Sequence, residues 1–123
     1  MTATRTPRIL LAEDEEAMRA YLERALTNAG YSVSAVDRGT DAVPLLETGD
    51  YDLLLSDIVM PEMDGPTMLA EIRKRGITSK FIFMYGYAED AFERNLENPD
   101  DFAFIQKPFS LKQLVEKVKE VMG

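Results

Sequence analysis

The chain contains no cysteine and no histidine. Without cysteine there is no disulfide framework, no thiolate nucleophile and no zinc cluster. Without histidine, Ser-His and Cys-His hydrolases are excluded, as are imidazole metal sites. A nucleophile here has to be a carboxylate, a hydroxyl or an amine, and a tightly held metal has to be a hard cation taken by oxygens. Positive charge is scarce as well. Fourteen Lys and Arg against 22 Asp and Glu leave a net charge of −8, which repels phosphate backbones and anionic lipids, so neither nucleic acid nor a membrane is an expected partner. Long apolar runs are missing too. Nothing approaches the roughly 20 residues of a membrane span, and the opening "MTATRTPR" lacks the apolar segment of a signal peptide, so a cytoplasmic location is expected.

What remains is an ordinary globular composition. The chain has 123 residues, enough for one domain around a single core, and is 46% hydrophobic and 29% charged. Residues 1–7 read as a polar leader ending at Pro7, and 8–123 as the domain. "RILLA" (Arg8–Ala12) is a short apolar run that stops at the acidic "EDEE", which predicts a buried strand. Met18, Tyr21, Leu22, Ala25, Leu26 and Ala29 then recur with helical spacing, and Gly30 stands where a helix would end. "YSVSAV" (Tyr31–Val36) predicts a second strand. "TDAVPLLETG" predicts a short helix capped by Thr40, with Pro44 near its first turn.

"YDLLLSD" (Tyr51–Asp57) predicts the third strand. After a loop, "PTMLAEIRKRG" predicts a helix opening at Pro66 and stopping at Gly76. "KFIFMYG" (Lys80–Gly86) and "FAFIQ" (Phe102–Gln106) predict strands four and five, with a short helix over "YAEDAFERNL" between them. "SLKQLVEKVKEVM" predicts a closing helix whose Ser110 and Gln113 form a capping box, with Leu111, Leu114, Val115, Val118 and Met122 on one face. Five strands alternating with five helices argue for βαβ units. The expected fold is a doubly wound α/β sandwich with one parallel sheet.

In such sheets function collects beyond the carboxyl ends of the strands. Glu13 and Asp14 follow strand 1, and Asp57 ends strand 3. If those strands are neighbours, three carboxylates converge and need a cation, for which Mg²⁺ or Mn²⁺ suits oxygen-only ligands. Lys107, at the end of strand 5, would bring a compact positive charge to the same edge. Together they suit the handling of a phosphoryl group. Each residue taken alone has a plainer use. Glu13 and Asp14 can serve as an acidic first helical turn, Asp57 as a turn residue and Lys107 as a solvated lysine. Their joint placement after strands 1, 3 and 5 favours the site. Lys107 also precedes Pro108, where a cis peptide is open.

With these residues in place the sequence resembles the receiver domain of two-component response regulators, from about Arg8 to Met122. The resemblance is carried by "LLAEDE", "LLSDIVMPEMDG" and "FIQKPF" in that order. It implies a (βα)5 flavodoxin-like three-layer sandwich with strand order 2-1-3-4-5. It also implies that Asp57 is the phosphoacceptor, that Asp14 ligates Mg²⁺ directly and that Glu13 acts mostly through water. The backbone carbonyl of Val59 would complete the protein's share of the metal shell. Lys107 would pair with phosphoryl oxygens, the Lys107–Pro108 peptide would be cis, and Phe104 would hold the position of the aromatic switch. The donor would be a phosphohistidine on another protein, which explains why this chain needs no histidine. The domain would then catalyse only its own phosphorylation and dephosphorylation. "MPEMDGPTMLAEIRKR", "GYAEDAF" and "KPFSLKQLV" are similar to the receivers of CckA-type hybrid histidine kinases of alphaproteobacteria, and "RILLAED" with "DIVMPEMDG" to stand-alone CpdR receivers. That setting implies a histidine kinase or histidine phosphotransferase as partner, and a monomer or weak dimer.

One position departs from the resemblance. Where the family has a serine or threonine at the end of strand 4, this chain has Tyr85. Its hydroxyl stands too far from the backbone to make the same inward contact. Three readings follow: an outward half-buried ring, a ring that blocks the inward position of Phe104, or a hydroxyl that reaches the site by another path. The alternative function is therefore a receiver-like interaction module with weakened or absent phosphorylation-dependent switching. Two other classes fare worse. A haloacid-dehalogenase-type phosphatase wants a second aspartate where Val59 stands, and a flavin-binding flavodoxin wants a phosphate-cradling loop where "AEDEE" is acidic.

Overall fold

The computed structural model describes residues 6–58, 65–86 and 102–122. Five strands, β1 (Arg8–Ala12), β2 (Ser32–Val36), β3 (Leu53–Asp57), β4 (Lys80–Tyr85) and β5 (Ala103–Gln106), form one sheet. All are parallel, in the order β2-β1-β3-β4-β5. Four helices are described: α1 (Glu16–Asn28), α2 (Gly39–Thr48), α3 (Gly65–Lys74) and α4 (Leu111–Met122). The architecture is the doubly wound parallel sandwich that alternating strands and helices called for, with the flavodoxin-like strand order that the resemblance implied. The helix read over "YAEDAFERNL" lies outside the described residues.

The apolar runs of β1 and β3 occupy the centre because both sheet faces are covered there. Every residue of β3 is buried. Strand alternation divides the interior in two. Leu10, Leu54, Phe81 and Phe83 point to one face, where Ala42, Val43 and Leu46 of α2 and Met68, Leu69 and Ile72 of α3 cover them. Ile9, Leu11, Leu53, Leu55 and Ile82 point to the other, under Leu22 and Leu26 of α1 and Leu114 and Val118 of α4.

The helix ends follow local chemistry. Gly30 (φ 104°) and Gly76 (φ 80°) take the left-handed conformation that L side chains resist. At the first, the N–H of Gly30 donates to the carbonyl of Thr27 and that of Tyr31 to Leu26, closing α1 with a Schellman motif. Gly76 and Ile77 repeat it on Arg73 and Ile72 after α3. Tyr31 thereby gives its N–H to the helix cap, and β2 starts one residue later than its sequence suggests. The capping box of α4 is formed both ways: the Gln113 N–H donates to Ser110 Oγ at 3.1 Å, and the Ser110 N–H to Gln113 Oε1 at 2.8 Å.

Two local expectations are corrected. Thr40 does not cap α2. The helix begins at Gly39 with Arg38 as N-cap and no side-chain capping bond. Pro44 therefore sits inside the helix, past the first turn, where it has no N–H to give. Tyr21 is not part of the covered face of α1. Only Leu22 and Leu26 of that set are fully buried, while Tyr21 is 55% exposed.

Candidate functional site

The register of the sheet brings the carboxyl ends of β1 and β3 side by side, with Ala12 opposite Ser56. The next residue on each strand is an acid, and both turn inward: Glu13 is 2% exposed and Asp57 6%. Asp14, one residue on, faces solvent. The Glu13 N–H donates to the carbonyl of Val36 at 3.1 Å, continuing the ladder to β2. Its carboxylate accepts the Glu15 N–H on Oε2 at 3.0 Å, and its carbonyl accepts a bond from Arg19 Nη1 at 3.0 Å. On the other side of Asp57, the Ile58 N–H donates to the carbonyl of Met84 at 2.9 Å, fixing the strand end against β4.

Lys107 comes from β5, two strands from Asp57. Its backbone N–H donates to the Tyr85 carbonyl at 2.7 Å. Its side chain reaches past β4, where Nζ donates to Asp57 Oδ1 and stands 3.6 Å from Glu13 Oε1. The Lys107–Pro108 peptide is cis. Carboxylate oxygens of Glu13, Asp14 and Asp57 lie within 4.8 Å of one another. Among the described residues the cluster thus carries three acids against one ammonium.

The electrostatics show the strain of that arrangement. Burial and the neighbouring Asp57 carboxylate push the Glu13 carboxyl up to about 7 from an ordinary 4.5, against the opposing pull of the Glu15 N–H and Lys107. Burial works against the Lys107 ammonium, but its hydrogen bond to Asp57 and the charges of Asp57 and Glu13 outweigh this and raise its pKa. Lys107 therefore stays charged at neutral pH. Among the described residues, Glu13 Oε1 is buried without a hydrogen-bond partner. The Lys107 ammonium, 3.6 Å away, offsets its charge but is too far to hydrogen-bond it, and an unbonded buried acceptor is costly. The donor set fits a hard divalent cation: hard oxygens, excess negative charge and an acceptor lacking a hydrogen bond.

Of the other residues singled out by sequence, Val59 lies outside the described residues. Tyr85 and Phe104 are both half-buried and pack toward the α2–α3 face. Their rings meet edge-on, 5.5 Å apart at 81°. Sequence reading missed Arg19, whose bond to the Glu13 carbonyl joins residues six apart and has no periodic signature. It also missed a groove of about 370 Å³ beside Lys107, lined by Met18, Tyr21, Gly86, Pro108 and Phe109. The signal available was the tyrosine in the helical pattern, which read as core.

Comparison with known proteins agrees with this geometry. A family model described as the response regulator receiver domain matches residues 9–119. The chain is 52% identical over 116 residues to the sensor kinase CckA of Brucella abortus, covering 93% of this chain and 12% of that kinase's length. It is 39% identical over 115 residues to the response regulator receiver protein CpdR of the same organism, covering 94% of this chain and 96% of CpdR. Among solved structures, the receiver domain of the hybrid histidine kinase CckA matches with a TM-score of 0.79 at 36% identity, over 94% of this chain and 99% of that one. Vibrio cholerae CheY4, at 19% identity over 95% of this chain and 99% of its own, shares the fold with a TM-score of 0.86.

Proposed function

The chain belongs to the response regulator receiver family, and on that footing we propose that it accepts a phosphoryl group from a phosphohistidine onto Asp57 in a Mg²⁺-dependent reaction. The observation that carries this reading is the placement of Asp57: a buried carboxylate bonded to a charged lysine, beside two more carboxylates, one of which has a buried oxygen with no hydrogen-bond partner among the described residues.

In the reaction an Asp57 oxygen attacks phosphorus, the new O–P bond forms as the P–N bond to the donor imidazole breaks, and the imidazole keeps the electron pair. Lys107 remains protonated and can exchange its Asp57 bond for the phosphoryl oxygens that the transfer brings in. Glu13, Asp14 and Asp57 would hold the metal, which supplies charge neutralisation for those oxygens. The backbone bonds of Glu13 to β2, Ile58 to β4 and Lys107 to β4 fix these groups without a moving part. In this reading the domain turns over nothing but its own acyl phosphate. Its partner is a histidine kinase or a histidine phosphotransferase, and the relatives named above support that pairing.

The test is incubation with Mg²⁺ and a phosphodonor followed by intact mass. One phosphoryl adduct is expected in the wild type and none in Asp57→Asn. An adduct that survives in Asp57→Asn moves the acceptor elsewhere, and no adduct with any donor removes the reading.

A further inference from the structure

Phe104 is held by rings. It meets Phe102 at 5.2 Å and 88°, Tyr85 at 5.5 Å and 81°, and Phe83 at 5.6 Å. Phe83 in turn meets Phe81 at 4.5 Å and Phe102 at 5.4 Å, so among the described residues five rings form one connected cluster. Phe104 is also among the residues lining a groove of about 390 Å³, with Gln106, Gln113 and Lys117. Among the described residues, two edge-on contacts, to Phe102 and Tyr85, and a tilted one to Phe83 hold the ring.

Tyr85 joins this cluster to the acidic pocket through its backbone. Its carbonyl takes the Lys107 N–H, so the lysine's main chain is pinned while its ammonium rides on a flexible four-carbon stem. A change of charge at Asp57 can then be absorbed by that stem. Coupling to a distant side chain needs an element with two arrangements that the charge can choose between. An interlocked ring cluster with a pinned backbone offers one.

We propose that Tyr85 acts as a wedge that keeps Phe104 in a single position whether Asp57 is free or phosphorylated, so that the phosphorylated state is displayed only at the carboxylate pocket. This rests on the reading of Asp57 as the phosphoacceptor. A partner that discriminates the two states would have to touch the pocket rim itself.

The test places 4-fluorophenylalanine at position 104 and follows its fluorine resonance together with the Ile58 amide, with and without Mg²⁺ and beryllofluoride. Wild type and Tyr85→Phe should show the Ile58 signal displaced and the fluorine signal unmoved. In Tyr85→Ala, or in Tyr85→Leu where bulk is needed for folding, the fluorine signal should respond. A wild-type fluorine signal that moves with Ile58 overturns the wedge. So does an unresponsive signal in the ring-less variants, or a Tyr85→Phe that behaves like them. An Ile58 signal that stays put in every variant counts instead against Asp57 as acceptor. The wedge is then decided in metal-free spectra, where only the ring-less variants should shift and broaden the fluorine line, and identical spectra overturn it.

Discussion

The Lys107 N–H donates to the Tyr85 carbonyl at 2.7 Å, while the ammonium of the same residue stands on Asp57, one strand further in. Backbone and side chain thus tie the carboxyl ends of β5, β4 and β3 together.

Replacing Lys107 with methionine keeps the stem and removes the charge. Phosphoryl acceptance by Asp57 should fall by roughly 10²-fold, the scale of losing one preorganised charge-stabilising donor. Stopped-flow phosphorylation with a small phosphodonor measures it. A variant within a few-fold of wild type would show that the lysine is dispensable to the transfer.

Glu13 makes the metal-free protein pH-sensitive in a defined direction. Its folded-state pKa is raised to about 7 from 4.5, so the folded state holds a proton that the unfolded state has released. Stability from this group is fully present below about 4.5 and is lost as pH rises through about 7, by at most ~3 kcal/mol. Melting curves in EDTA across that window should fall for wild type and stay flatter for Glu13→Gln. Parallel curves for the two proteins would contradict it.

Asp14 separates metal binding from folding. Because it faces solvent, Asp14→Asn should change metal-free stability by no more than about 0.5 kcal/mol. It should nevertheless weaken Mg²⁺, seen as a smaller rise in Tm on adding the ion. An unaltered Mg²⁺ response would remove Asp14 from the ligand set.

Ser110→Ala takes away the oxygen that accepts the Gln113 N–H at the start of α4. A loss of about 1 kcal/mol is expected in urea unfolding, with the slope unchanged. A loss near zero would mean that water satisfies the helix start equally well.

Much of this was legible in the chain. Apolar runs ending in acids gave the strands and the edge where they point, and Gly30 and the Ser110–Gln113 pair marked helix ends correctly because their chemistry is local. The misses share a cause. Whether Tyr21 is covered depends on tertiary packing that helical spacing does not carry, and Thr40 lost its capping place to a helix that begins two residues earlier, at Gly39. Nor could spacing say which of two adjacent acids turns inward. That choice is made by the alternation of β1 and by the ladder bond from Glu13 to Val36.

Among the described residues the sheet separates two apolar interiors that share no side chain, and β3 with the residue after it feeds both: Leu54 and Ile58 one, Leu53 and Leu55 the other. Substitutions under α2 and α3 should therefore combine additively with those under α1 and α4. Such a molecule can be retuned on one flank, residue by residue, while the opposite flank and the chemistry at the seam between them are left as they were.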